Sequence, residues 1–282
     1  MFAAIPAFLA AVLQAASFTC DKAILNIRRI GYKTYTAVSF PLLFLFDILI
    51  WLIFRPRLDW GLLDGQTGVL VVASILTLVV TNLLYYRALK DDNVSEINVV
   101  SLTAAIPVIL VNGLIFADER RLTIIIPALI ASLAVVWAHW ENHRIHFAKH
   151  TPSFLLWLWF TAPLNAAAAK LILHTWSPIT LELVRDGVMA LILLPLFHSS
   201  IKHIPARGWR LLLATNALSS SAWMLYFLGY QRIGVIASAL VFSLQPLLVY
   251  IAGVVILKEP FAPRKFIAFL IVLAAIAAAQ LI

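Results

Sequence analysis

Apolar runs of roughly twenty residues, separated by short polar breaks, recur along the whole chain. A helix of about 20 apolar residues spans the roughly 30 Å hydrocarbon core of a bilayer. Alternation of apolar and polar positions at strand spacing is absent, so the pattern predicts helices rather than barrel strands. The runs predict ten helices, at residues 3–25, 34–54, 67–86, 94–117, 122–140, 153–173, 178–198, 208–229, 234–257 and 262–282. Turn formers and charges make up the breaks, among them "RRIGYK", "LKDDN", "DERR", "HTWSP" and "KEPFAPRK". Every connection is short, which makes consecutive helices antiparallel neighbours in one bundle.

Composition agrees with that pattern. At 63% hydrophobic and 12% charged residues, against about 45–50% and about 25% in soluble domains, the chain cannot build a water-facing surface. The expected fold class is an all-α integral membrane protein. Its first run lacks a basic leader and is too long for a signal-peptide core, so it reads as the first span. Cys20 is the single cysteine, which excludes a disulfide framework and a zinc–cysteine site. The net charge of +8 is spread over many loops with no basic face. The bilayer is therefore the expected partner and nucleic acid is not.

The chain also repeats itself. Residues 84–138 lie over residues 225–279 with small gaps, matching Leu84-Tyr85 to Leu225-Tyr226, Pro107 to Pro246 and Glu119 to Glu259. Upstream, "FTCDKAIL" lies over "AAAAKLIL", which pairs Lys22 with Lys170. Agreement in Pro, Glu, Tyr and Lys in one order exceeds what two greasy helices share by chance. Each unit would hold five spans, and an odd number makes the second unit enter from the opposite side. Ten transmembrane helices in two inverted five-helix repeats are thus expected, an arrangement of secondary transporters.

Taken together, the "YYRALK" and "YFLGY" ends of spans three and eight, the prolines in spans four and nine, and "DER" and "KEP" after them resemble the EamA-type members of the drug/metabolite transporter superfamily. "SPITLELVRDG" fits the family's opening of span seven, whereas "KTYTAVSFPLLF" at span two lacks the arginine. The resemblance implies two EamA-like units, residues 1–140 and 152–282, joined by a linker at 141–151. It implies a multi-pass protein of the plasma (inner) membrane that exports or exchanges small metabolites, amino-acid-like or drug-like solutes by alternating access. Protons or exchange would drive it, with no cofactor, as a monomer or homodimer, and not as an enzyme. The rival reading is a membrane enzyme acting on a lipid or prenyl substrate. Such an enzyme needs paired Asp motifs or a His–Asp cluster, and neither occurs here.

Charged side chains at bilayer depth cost at least about 2.5–3.5 kcal/mol each, so they face a cavity or a partner. Asp47 lies within "LLFLFDILIWLIF" with no local partner; it is either a proton-coupling carboxylate or the mate of a base on another helix. Lys22 and Lys170 stand at matching places and either present cations to an anionic solute or snorkel to the interface. Glu182, Arg185 and Asp186 share the first turns of span seven and read as a structural ion cluster. Asn82, Asn98 and Gln245 are candidate polar groups of the pathway. Pro107 and Pro246 each free a carbonyl one turn back, marking kinks that line a wet path or serve as hinges. Tyr85, Tyr86, Trp223 and Tyr226 supply aromatic walls or an interfacial belt.

Four histidines, His139, His143, His146 and His150, fall on one helical face in "WAHWENHRIHFAKH". The remaining histidines are scattered, and this stretch lies between the two repeats, so it reads as a linker and no metal site is expected. Loops after the odd-numbered spans carry most of the Lys and Arg. By the positive-inside rule they face the cytoplasm and both termini face out, whereas the resemblance implies both termini inside.

Overall fold

The computed structural model describes residues 2–25, 27, 30–59, 61, 65–91, 103–139, 151–198, 201, 204–256 and 261–280. After a 3-10 turn at Phe2–Ala4, the helices are α1 (Ile5–Leu25), α2 (Tyr32–Phe54), α3 (Gly65–Asp91), α4 (Ala105–Ile115), α5 (Leu122–His139) and α6 (Thr151–Ile172). A second 3-10 turn, Ala117–Glu119, joins α4 to α5. The chain continues as α7 (Pro178–Phe197), α8 (Ala206–Ile233), α9 (Val235–Phe242), α10 (Gln245–Ile256) and α11 (Pro263–Gln280). Among the described residues there is no strand. In a bilayer a helix satisfies its own backbone groups, which is why so apolar a chain takes this form.

Local chemistry sets several boundaries. Ser177 caps α7 by accepting the Thr180 N–H at 3.1 Å, and Pro178 occupies the first turn, where its missing donor costs nothing. Gly234, at φ +88°, turns the chain between α8 and α9 in a conformation that L side chains rarely adopt. The run expected as one ninth span is two helices, interrupted at Ser243 and Leu244. Pro246 lies in the first turn of α10, so its missing N–H falls where the helix restarts. Pro107 likewise lies in the first turn of α4.

Five described helical stretches are long and apolar enough to cross a membrane: Tyr32–Phe54, Thr67–Tyr85, Pro152–Ile172, Ala206–Ile233 and Val235–Ala252. Shorter apolar helices cover Ile5–Asp21, Ala105–Ile115 and Leu122–Ala138. α7 stands apart because it carries Glu182, Arg185 and Asp186.

The main pairings are α1 along α8, α2 along α7, α5 along α11, α3 along α6, α4 against α6, and α1 against α10. Small residues allow close approach: Ala128, Ala131 and Ala268 are fully buried where α5 and α11 meet α9. Gly187 of α7 faces the Phe44 ring of α2, and a Cβ there would sit 2.8 Å from it. Another core gathers Trp176, Leu181, Tyr226, Phe227 and Tyr230. Leu45, Ile53, Leu114, Phe160 and Leu191 point outward, as a lipid-facing surface requires. The protein is a multi-pass helical membrane protein.

Candidate functional site

Asp47, the one acid of its helix, meets the α7 charges in three dimensions. Its side chain is fully buried, and Oδ1 accepts from the Ser220 hydroxyl of α8 at 2.5 Å. The carboxyls of Asp47 and Asp186 lie within hydrogen-bonding reach of each other, with Glu182 close enough to repel both. Arg185 donates to Glu182 at 3.2 Å and stacks over the Phe227 ring at 5.1 Å. Three buried carboxyl groups and one guanidinium, which pairs with Glu182, therefore meet where α2, α7 and α8 pack together. Among the described residues, Asp47 Oδ2 and Arg185 Nε have no hydrogen-bond partner. An uncompensated carboxylate is costly in a low-dielectric interior.

Aromatic rings flank this cluster. Tyr226 packs 4.4 Å from Phe242 and 4.9 Å from Tyr230, whose hydroxyl reaches that of Tyr226 at 3.3 Å. Trp223 meets Tyr226 edge-on at 5.6 Å. Tyr226 and Trp223 thus belong to one wall, while Tyr85 packs elsewhere, against Phe154 at 5.7 Å.

Lys170 is buried and neutralised within the protein. Its ammonium donates to Asp118 at 2.5 Å and to Glu119 at 2.7 Å, and lies over the Phe116 ring at 4.5 Å. Glu119 in turn accepts the Val235 N–H at 2.7 Å and the Ile236 N–H at 3.2 Å. A carboxylate is well placed at the positive end of α9. The Lys170 hydrogen bond, with further attraction from Lys170 and His174, holds the Asp118 carboxyl below its ordinary 3.8. A cavity of about 640 Å³ opens beside this cluster, lined by Ala4, Arg121, His174, Arg232 and Leu240 among others.

Other polar side chains lie within the helices. Asn82 donates to the Leu78 carbonyl of its own helix, and Asn216 to Leu212 and Ser39. Gln245 is half-buried at the start of α10. Asn98, Glu259, His143, His146 and His150, with the side chains of Lys22, Tyr86 and His139, lie outside the described residues. Among the described residues no group of three His, Cys, Asp or Glu could hold a metal ion.

Sequence reading missed Ser220, Asp21, Thr215, Asp118 and Gly234. One signal was available: "TNALSSS" (215–221) places a dense polar run within an apolar helix. Tyr35 and Thr215 both donate to Asp21 at 2.6 Å, and Ser17 meets Thr215 at 2.8 Å.

No curated protein matches this chain. Among solved structures, 29 chains match it. One of them, known as a crystal structure, covers 100% of this chain and 98% of its own, with TM-score 0.76 at 16% identity. Identity that low carries the fold alone. The family model described as the EamA-like transporter family matches residues 152–279. The matched stretch is the second half of the chain, which holds the α7 charges, Lys170 and the aromatic wall, and it is similar to the EamA-like transporter family, part of the drug/metabolite transporter superfamily.

Proposed function

We propose that the protein is a secondary active transporter that exports small metabolites, amino-acid-like or drug-like solutes by alternating access, coupled to protons at Asp47 and Asp186. One observation carries this reading: three carboxyl groups and a single guanidinium buried together within apolar helices. Loading a proton on the Asp47–Asp186 pair reduces the excess charge, and losing it restores repulsion between α2 and α7. Proton occupancy thereby biases how these two helices sit together.

The helix pairings support two inverted five-helix units. If each of α1 to α5 is exchanged with its counterpart in the order α6, α7, α8, α9–α10 and α11, the contacts map onto one another. The α1–α8 pairing becomes α6–α3, and α1–α10 becomes α6–α4, while α2–α7 and α5–α11 return to themselves. Two units related in this way can rock about a central site and open one face at a time. A lipid or prenyl enzyme is not favoured, since the family is one of transporters.

Profiling the growth medium of cells that make the protein, against cells making Asp47→Asn, identifies the exported solute. In proteoliposomes, an imposed proton gradient should drive that solute through the native protein and not through Asp47→Asn. Gradient-driven transport that survives in Asp47→Asn removes the coupling role.

A further inference from the structure

Lys170, Glu119 and the start of α9 form a junction that the acid cluster does not use. Glu119 follows α4 in the first half of the chain, and each group it grips belongs to the second half: Lys170 of α6 and the N–H groups of Val235 and Ile236. Both charged side chains are buried, Lys170 at 8% and Glu119 at 6% exposure. Close fit is built in, because a Cβ at Gly234 would stand 2.5 Å from Glu119 Oε1. Glu119, Lys170 and Gly234 wall the 640 Å³ cavity, which Ala4 also lines.

We propose that Glu119 is the gating residue of this face: its carboxylate clamps the exit of α4 to the entrance of α9, and release of the clamp opens this face to the solute path. The inference rests on alternating access as read above. A carboxylate bonded at once to an ammonium and to a helix N-terminus is held by charge and by direction. Breaking it exposes three groups that need new partners, and water supplies them only once the face has parted. Clamp and water access therefore exclude one another. Asp118, on the exposed side of Lys170, keeps the ammonium in place while Glu119 leaves, so release does not strand a buried cation.

The chain carries its own reporter for the opposite face. Cys20 is its single cysteine and lies sixteen residues along α1 from Ala4, about 24 Å at 1.5 Å per residue. The test is maleimide labelling of the purified full chain in nanodiscs, comparing native Glu119 with Glu119→Gln, Lys170→Gln and Gly234→Ala. One set keeps Cys20; a second carries Cys20→Ser with Leu240→Cys on the cavity wall. Releasing the clamp should speed labelling at Leu240→Cys and slow it at Cys20, each by at least about fivefold, the low end of coupling between distinct sites. Because Glu119→Gln keeps the size and one oxygen that can accept an α9 N–H, it holds the fold if the other variants do not. Unchanged labelling at both positions in a folded Glu119→Gln protein overturns the gate and leaves alternating access standing. Faster labelling at Leu240→Cys without slower labelling at Cys20 overturns both, since the two faces would then open independently.

Discussion

Ser220 of α8 donates to Asp47 of α2 at 2.5 Å, across 173 positions of sequence. This bond is the hydroxyl contact of the most deeply buried carboxyl in the acid cluster, whose other oxygen has no hydrogen-bond partner among the described residues. Ser220→Ala should therefore destabilise the protein by about 1–3 kcal/mol, the cost of stranding a buried acceptor. Ser221→Ala is the internal control, because Ser221 bonds back only to the Ala217 carbonyl of its own helix. Thermal unfolding of the detergent-solubilised variants reads the difference. Equal losses would mean that the Asp47 contact carries no stability.

Gly234 and Gly31 make a matched pair for the junction. Gly234 combines φ +88° with a Cβ position inside the Glu119 carboxylate, whereas nothing lies within 4 Å of a Cβ at Gly31. Gly234→Ala should cost at least about 1–3 kcal/mol from backbone strain alone. Gly31→Ala should stay within about 0.5 kcal/mol of the native protein. The comparison fails if both variants melt together.

Acid titration separates Asp118 from its surroundings. Its carboxyl is held below the ordinary 3.8 by the Lys170 hydrogen bond and by attraction from Lys170 and His174. With a depressed value the folded state binds fewer protons than the unfolded one. Asp118 then contributes fully above 3.8, and its contribution is lost as pH falls through the depressed value. The stability gap between the native protein and Asp118→Asn should be flat from about pH 8 to pH 5 and close only in stronger acid. Glu119, Lys170, Arg121, His174 and Arg232 share the cavity wall, so the series is run in a His174→Gln background, which takes the imidazole out of that wall. A gap that varies through the neutral range contradicts the assignment.

How far the site was legible follows from the range of each interaction. Glu182, Arg185 and Asp186 lie within two turns, so their proximity was readable from spacing alone. Asp47 was readable as anomalous, a charge in an apolar run, but not as the partner of Asp186. Lys170 was readable as a charge near a span end, but not as the partner of Asp118 and Glu119. Nothing near Lys170 in sequence indicates this, because the acids arrive from the turn before α5. The ninth run read as one helix, since hydropathy does not register the break at Ser243 and Leu244.

Helical structure and membrane residence were determined by sequence alone, because each helix satisfies its backbone within a few residues and apolar composition sets its solvent. Which polar groups meet was decided only by tertiary packing. Ser17 finds Thr215 across 198 positions and Lys170 finds Glu119 across 51, through helix contacts whose register no local pattern encodes. In lipid, a buried charge must find its partner wherever the fold brings one, and that place is a property of the whole bundle.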